Sequence, residues 1–379
     1  MNFVIIITKK NIDQDEQMAV LVIVHPNKRN ARWIWMESIT IKDVAKMCGV
    51  GVSTVSRAIN NHPDINPETR EKILKVISEH NYIPNNSARN LKRQESKTVA
   101  VLMKGISNPF FHGMVKILEH EIEHRRYSFL LHHVDEGEDE IGVALELEKE
   151  KKLCGIIFLG GAMGHTAQRL KQLKSPFVFS TIRLGEEVDE QLYSSVSIDD
   201  VKEAYRMVSH LIELGHRRIA LVAAREDDVA IGRMRLEGYE RALKDHQIPF
   251  CKELILYPQK GANPYSMESG YQVARQFLES NGEATAFFVI SDNTAFGVCK
   301  AITDFGKCVP DDYSVAGFDG IEMGRYYNPS LSTICQPCDE MAKESVEVLF
   351  ELMEEQASNR HCIFPAKLVE GESVRAIKR

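Results

Sequence analysis

The stretch MCGVGVSTVSRAIN, residues 47–60, sets two glycines between two short helical patterns. Upstream, Thr40 and Asp43 have the spacing of a capping box. Apolar residues follow at helical spacing, namely Ile41, Val44, Ala45 and Cys48. Gly49 ends this helix, and Gly51 can begin another because glycine is tolerated at an N-cap. The pattern predicts two short helices joined by a tight turn.

The second predicted helix has two unlike faces. Its apolar face, Val55, Ala58 and Ile59, suits packing against the first helix. Its other face consists of Val52, Ser53, Thr54, Ser56 and Arg57. A third helix begins at Asn66 and Pro67 and buries Ile73, Val76 and Ile77. Three short helices around one small core predict a helix-turn-helix domain.

The polar face of the second helix has the composition of a DNA-reading surface. A major groove admits one helix, whose leading residues must be small or able to form hydrogen bonds. Val52, Ser53 and Arg57 are therefore candidate base readers, since an arginine can donate two parallel hydrogen bonds to guanine. The candidate phosphate contacts or caps are Thr40, Ser53, Thr54 and Ser56. The alternative is a helical hairpin with solvated serines.

Composition limits the class of protein. The chain has 379 residues, 44% hydrophobic and 27% charged, which is enough for two or three domains. A net charge of -7 argues against a protein that grips nucleic acid with its whole surface, but it permits a small basic module on an acidic body. Eight scattered cysteines suit reduced thiols, so we expect a cytoplasmic protein with no membrane partner.

Residues 1–35 do not fit the rest of the chain. Their apolar runs, FVIII and AVLVIV, are too short to span a bilayer, and the segment does not have the pattern of an export signal. It is either a short extra hairpin or the product of a start codon placed too early. The second interpretation is favoured, because MESITIKDVAK from Met36 is well formed as an N-terminus.

Two stretches together resemble the headpiece and hinge of a known family. TIKDVAKMCGVGVSTVSRAIN at 40–60 and INPETREKILKVISEHNYIPNNSARNL at 65–91 are similar to those of the lactose/galactose repressor (LacI/GalR) family of transcription regulators. The resemblance implies a DNA-binding domain at 36–83 and a hinge and linker at 84–96. Gly51 stands where the family usually has serine, which puts one cap and one phosphate contact in doubt.

In that family the hinge becomes helical only on DNA and inserts a leucine into the minor groove. The resemblance places this leucine at Leu91, with Asn85, Ala88 and Arg89 beside it. The residues agree, because a single helical turn after Pro84 is too short to be stable alone, and an apolar wedge can kink DNA. The alternative is a solvated linker with an incidental leucine.

The rest of the chain alternates short apolar strands with helical stretches. The predicted strands are 98–103, 127–134, 154–160, 176–182, 217–224, 285–291 and 313–319. This pattern predicts α/β architecture with parallel sheets. The resemblance implies a two-lobed, doubly wound, periplasmic-binding-protein-like core at 97–379 that binds an effector and dimerises. Lobe 1 is predicted at about 97–196 and 320–335, and lobe 2 at about 197–319 and 336–379.

Ligands of such folds sit beyond the carboxyl ends of the strands, in the cleft between lobes. The resemblance assigns effector binding to Arg235 and Asp319. Less constant pocket positions fall on Phe110 or Phe111, Thr181, Tyr265 and Ser291. Asp292 follows a predicted strand, and it either contacts the effector or only caps the next helix. The phenylalanines are equally compatible with a place in the core. Carboxylates, a guanidinium and aromatic faces suit a sugar.

Enzyme-like signals are weak. The glycines of FLGGAMGH at 158–165 lack dinucleotide-binding spacing, and CQPC at 335–338 is a single C-x-x-C for which a structural or accidental role is favoured. The alternatives to a regulator are a transporter's solute-binding protein and a small-molecule enzyme on the same two-lobed fold. The sequence favours a dimeric repressor of a pseudo-palindromic operator, with no catalytic residues, metal or cofactor. Its expected effector is a sugar or sugar phosphate, with a nucleobase next.

Overall fold

The computed structural model describes residues 39–59, 62–80, 82, 97–135, 137–185 and 187–377, and the backbone alone of 3–10, 17–24 and 33–36. The chain separates into two compact units, residues 1–94 and 95–379. In the first unit, three antiparallel strands occupy the extension, in the order β1 (Phe3–Lys10), β2 (Gln17–Val24) and β3 (Trp33–Met36). This is one strand more than the hairpin considered from the sequence.

Three helices follow in the first unit, namely α1 (Ile41–Cys48), α2 (Val52–Ile59) and α3 (Pro67–Glu79). The predicted capping box begins α1, with the Asp43 amide donating to Thr40 Oγ1 at 3.4 Å and the Thr40 amide donating to Asp43 Oδ2 at 2.8 Å. Gly49 ends α1 at a φ of 68°, a left-handed conformation that favours glycine. The core of the three helices consists of Val44, Ala45, Cys48, Val55, Ala58 and Ile73.

The second unit contains two sheets of six strands. The first sheet is parallel throughout, in the order β14-β8-β7-β6-β4-β5. Its strands are β4 (Thr98–Lys104), β5 (Ser128–Val134), β6 (Gly155–Leu159), β7 (Phe177–Ser180), β8 (Ser194–Ile198) and β14 (His361–Phe364). Every residue of β6 and β8 is buried, as expected of strands covered by helices on both faces.

The second sheet has the order β10-β9-β11-β12-β13-β15, and only its β13–β15 pair is antiparallel. Its strands are β9 (Ile219–Val222), β10 (Ile255–Leu256), β11 (Ala286–Val289), β12 (Ser314–Asp319), β13 (Ser332–Cys335) and β15 (Lys367–Val369). The unit's helices are α4 (Phe110–His124), α5 (Glu140–Lys151), α6 (Ala167–Leu170), α7 (Asp200–Glu213), α8 (Ile231–Asp245), α9 (Met267–Glu279), α10 (Asp292–Asp304), α11 (Met323–Tyr326) and α12 (Cys338–Met353).

The predicted division of the lobes is wrong in its C-terminal third. Residues 320–335 belong to the second sheet, because β13 pairs with β12 and Asp319 lies opposite Cys335. The segment 338–364 returns to the first sheet, where α12 packs on α4 and β14 pairs with β8. Residues 367–377 then rejoin lobe 2 through β15. The chain thus crosses between lobes near 199, 336 and 366, and does not cross near 318–322.

Candidate functional site

The polar face of α2 is open to solvent. Ser53, Ser56 and Arg57 are exposed, Val52 is 42% exposed and Thr54 is half-buried. Val55 and Ala58 on the opposite face are fully buried against α1 and α3. The predicted base readers and phosphate contacts therefore share one accessible helix face, which is the geometry that a groove-reading helix needs.

The turn before α2 is held in place by its neighbours. The Val50 amide donates to Ala45 O at 3.0 Å, and Lys72 of α3 donates to Cys48 O at 3.1 Å, which satisfies a carbonyl at the end of α1. Thr40 uses its hydroxyl in the capping box with Asp43 and is itself exposed. The predicted hinge contacts Asn85, Ala88, Arg89 and Leu91 lie outside the described residues.

A buried ionic network lies at the carboxyl ends of the core strands. Arg235 of α8 donates through Nε to Asp200 Oδ1 at 2.9 Å and through Nη1 to Asp319 Oδ1 at 3.5 Å. It also donates to the carbonyl of Ile290 and lies over the ring of Phe318, with the guanidinium 3.6 Å from the ring centre. Burial raises the pKa of Asp200 to about 6, although Arg235 opposes that shift.

Asp319 joins the two lobes. Its Oδ2 accepts from Asn108 of lobe 1 at 3.0 Å, and its Oδ1 accepts from Gln336, at a lobe crossover, at 2.9 Å. Burial raises the pKa of Asp319, while Arg235 acts in the opposite direction. Its φ of 114° is rare for a residue with a side chain, so the surroundings must hold this backbone in place.

The network borders a cavity between the lobes. The predicted residues that line this cavity are Phe110, Phe111, Thr181, Arg235, Tyr265 and Asp319. Phe110 and Phe111 meet edge to face at 5.4 Å, and the Phe111 ring fits against Gly160 and Gly105. A Cβ on Gly160 would lie 3.0 Å from that ring and 2.7 Å from Lys104 O, so glycine is required there. The phenylalanines thus serve the cavity as well as the core.

Ser291 and Asp292 do not line the cavity, so an effector contact for them is not supported by their position. Ser291 caps α10 by accepting from the Thr294 amide at 3.2 Å. Asp292 accepts from the amides of Gly320 and Ile321 at 2.7 and 2.9 Å and from the Thr333 hydroxyl at 2.6 Å. The Asp292 carboxylate therefore fixes the turn that follows Asp319, and it is Ser291 that provides the cap.

Sequence reasoning missed several residues of the site. Asp200 lies two residues after strand β8, and Gln336 directly follows strand β13. The sequence did not indicate either segment as a strand. Recognition of those strands would have placed both residues at the ligand edge of the sheets. Asn108 directly precedes the Pro109-Phe110-Phe111 segment and was not assigned a contact from the sequence. Its neighbour Ser107 accepts from Asn263 of lobe 2 at 2.6 Å, which adds a second link between the lobes.

A second ionic cluster stands at the rim of the cavity. Lys104 donates to Glu140 Oε2 at 3.0 Å and to Glu138 O at 2.7 Å. Glu140 Oε1 accepts from the Ala162 amide at 2.6 Å and lies 2.9 Å from His165 Nε2. Burial raises the pKa of Glu140, but these hydrogen bonds outweigh it and bring the pKa to about 2. The glycine-rich loop at 158–165 is thus tied to Glu140 and Phe111.

We expect Glu140→Gln to reduce the acid sensitivity of the core. Because the folded pKa of about 2 lies below the ordinary 4.5, the ionised group stabilises the fold above pH 4.5. That stabilisation, about 3 kcal/mol at most, is lost as the pH falls from 4.5 towards 2. Urea unfolding at pH 7 and pH 3 measures the loss. The exposed Glu146→Gln on the same helix is the control. If Glu140→Gln lost as much unfolding free energy between pH 7 and pH 3 as the unmodified protein does, the assignment to Glu140 would be contradicted.

The described part of the chain has neither a cluster of metal ligands nor a membrane-spanning helix. Its His, Cys, Asp and Glu side chains form no group of three that could hold a metal ion. None of its helices combines the length and the apolar character needed to cross a membrane.

Comparison with known proteins agrees with both units. The family model described as "Bacterial regulatory proteins, lacI family" matches residues 40–85, and that described as "Periplasmic binding protein-like domain" matches residues 208–374. The HTH-type transcriptional regulator MalR of Clostridium butyricum is 40% identical over 337 residues, which cover 88% of this chain and 99% of that protein.

Solved structures lead to the same family. The Lac repressor dimer bound to operator and the anti-inducer ONPF is 27% identical, with a TM-score of 0.69, over 90% of this chain and 100% of that chain. The complex of the transcriptional regulator CelR with cellobiose is 27% identical, with a TM-score of 0.65, over 88% and 99% of the two chains. The expected helix-turn-helix domain and two-lobed core are confirmed, and the chain belongs to the lacI family of bacterial regulatory proteins.

Proposed function

We propose that this regulator is a repressor that binds a pseudo-palindromic operator as a dimer, in the cytoplasm, and responds to a sugar held between the lobes of its core. That it is a DNA-binding transcription regulator and not an enzyme follows from its family. The proposal rests on one combination of features. The same chain has an exposed polar face on α2 and a core cavity lined by Arg235 and Asp319.

The proposed DNA contacts follow from the chemistry of α2. Arg57 can donate two hydrogen bonds to a guanine edge, and Val52 and Ser53 stand at the helix N-terminus, where base edges come closest. Thr40, Thr54 and Ser56 supply hydroxyls for phosphates. Two-fold symmetry of a dimer would place two such helices in successive major grooves, hence the expected symmetry of the operator. The Lac repressor structure, a dimer on operator, supports this arrangement.

The domain assignment forms part of the proposal. Residues 36–83 would form the DNA-binding domain, 84–96 the hinge and linker, and 97–379 the effector and dimerisation core.

The hinge yields a prediction of its own. We expect Leu91→Ala to reduce operator bending more than it reduces nonspecific binding, because the apolar wedge would no longer unstack the central base step. Fluorescence energy transfer between the ends of a labelled operator measures the bend. Leu91→Met, which keeps an apolar wedge, is the control, and equal curvature with Leu91→Ala would contradict the wedge.

The sugar response is proposed as a linkage between lobe closure and operator affinity. Asn108 and Asp319 meet across the lobes at 3.0 Å, and both line the cavity, so a ligand that contacts them will bind one closure state better than another. A ligand can change DNA affinity only through that difference. The CelR structure, a complex with cellobiose, supports a sugar.

Electrophoretic retardation of the promoter fragment of the protein's own gene tests the proposal. We expect one retarded complex, in which light scattering finds two chains per operator. Addition of a sugar that binds should change the protein concentration at which half of the DNA is retarded. Val55→Asp, which places a charge in the core of the three helices, is the control for DNA binding. Absence of retardation, together with tight sugar binding, would favour a solute-binding protein instead.

A further inference from the structure

We infer that the effector is an uncharged sugar and that the cleft rejects the phosphorylated form of the same sugar, because the cations at the cavity are already paired. This inference rests on the proposed function, in which the cleft binds a sugar. It narrows the sugar or sugar phosphate expected from the sequence to one chemical class.

The charges around the cavity do not favour an anion. The cations that line it are Lys104, Arg225 and Arg235, and the carboxylates that line it are Asp227, Asp228 and Asp319. Directly behind the lining, Glu140 contacts Lys104, and Asp200 contacts Arg235. Among these described groups, five carboxylates stand against three cations. Even with His165 protonated beside Glu140, the balance does not become positive.

The two least exposed cations are already paired with carboxylates. The guanidinium of Arg235, 5% exposed, is shared between Asp200, Asp319 and the carbonyl of Ile290. The ammonium of Lys104, 13% exposed, donates to Glu140 and to the carbonyl of Glu138. A phosphate that recruited either cation would leave a buried carboxylate without its partner, which is unfavourable. Arg225 is more accessible, but it lies at the rim 3.8 Å from Asp227.

The helix N-termini beside the cavity are partly occupied by side chains of the protein. An open helix N-terminus binds phosphate through its free amides. At the start of α8, the Arg233 amide donates to Asp228 Oδ2 at 3.0 Å. At the start of α4, the Phe110 amide donates to Asn108 Oδ1 at 3.2 Å. Side chains of this chain therefore already use amides that a phosphate would need.

A neutral polyol meets none of these obstacles. Its hydroxyls can donate to Asp319 and Asp228 and can accept from Asn108 without adding charge. Phe110, Phe111 and Tyr265 offer aromatic surface for the apolar face of a sugar ring.

Calorimetric titration of the full chain with matched pairs tests the inference. The probes are glucose, fructose, ribose and trehalose, each beside its terminal monophosphate, with maltose and cellobiose as further neutral sugars. We expect at least one neutral sugar to bind. The phosphorylated form of that sugar should bind with an affinity lower by on the order of 100-fold. Tighter binding of a phosphorylated sugar would overturn the inference while leaving the sugar response intact. Binding of no probe would overturn the sugar response, and the inference with it.

Two variants test the cause. Glu140→Gln removes the charge that neutralises Lys104, and Asp228→Asn removes a carboxylate at the start of α8. In each variant, the ratio of the dissociation constants of the phosphorylated and the neutral sugar should fall by about tenfold. Two variants make the test independent of whether either one folds poorly, and thermal melts report folding. Glu146→Gln, exposed on the same helix as Glu140, should leave the discrimination unchanged. Unchanged discrimination in both folded cavity variants would overturn the charge argument.

Discussion

Asp319→Asn is expected to abolish the sugar response while leaving operator binding intact. The Asp319 carboxylate accepts from Asn108, Gln336 and Arg235, so it connects both lobes with the buried guanidinium. The amide that replaces it has one acceptor oxygen and adds two donors. Among the described residues, Arg235 would then keep Asp200 as its single carboxylate partner. Removing one partner of a buried ion pair costs about 3–5 kcal/mol of folding stability. The same substitution removes the carboxylate at the cavity to which sugar hydroxyls would donate.

Asparagine is the sharper variant because it keeps the shape of aspartate and tolerates the positive φ of this position. The response is measured as the shift in operator-retardation midpoint caused by the neutral sugar that binds best in calorimetry. Asp311→Asn, an exposed aspartate of the same lobe paired with Arg375, is the matched control. Normal sugar affinity in a folded Asp319→Asn protein would remove Asp319 from the binding site.

Arg57→Ala should lower operator affinity and relax base preference at one position of each half-site. Arg57 is exposed on the polar face of α2, while Val55 and Ala58 hold that helix against the core, so the substitution removes the reader without disturbing its support. A bidentate arginine contact contributes about 1–3 kcal/mol of discrimination, or about 5- to 150-fold per half-site.

A binding-site selection experiment measures this effect directly. Loss of preference for one guanine in each half-site is the expected pattern, whereas a uniform loss over all sequences would make Arg57 a phosphate contact. Lys75→Ala, which removes an exposed cation from α3, is the control for net charge. Unchanged selectivity with Arg57→Ala would exclude Arg57 from the base readers.

The headpiece was predictable because its determinants are local. A capping box, a glycine C-cap and apolar residues at helical spacing act within a few turns of chain, and each lies where the sequence placed it. The exposure of Ser53 and Arg57 then follows from Val55 and Ala58, which can bury only the opposite face. The wedge assigned to Leu91 stays a prediction.

In the core, the seven predicted strands all appear, because six of them are largely apolar runs buried on both faces. The seventh, β5, lies at the edge of its sheet and is only partly buried. Five others were missed for identifiable reasons. β8, SSVSI, is fully buried although three of its five residues are serines, and Ser194 and Ser195 find partners in Asn359 and His361. Those partners lie more than 160 residues away in the sequence, so no local pattern could indicate them.

By itself, the sequence determined the helix-turn-helix unit and the parallel α/β class, and the family resemblance added the expectation that Arg235 and Asp319 bind the effector. Only the tertiary structure decided that Asp200, Asn108 and Gln336 complete their network and that Asp292 supports the turn after Asp319. It also decided that α12 and β14 belong to lobe 1. The physical reason is range: caps and periodicity act over one or two turns, whereas desolvated charges find partners wherever the folded chain brings opposite groups together.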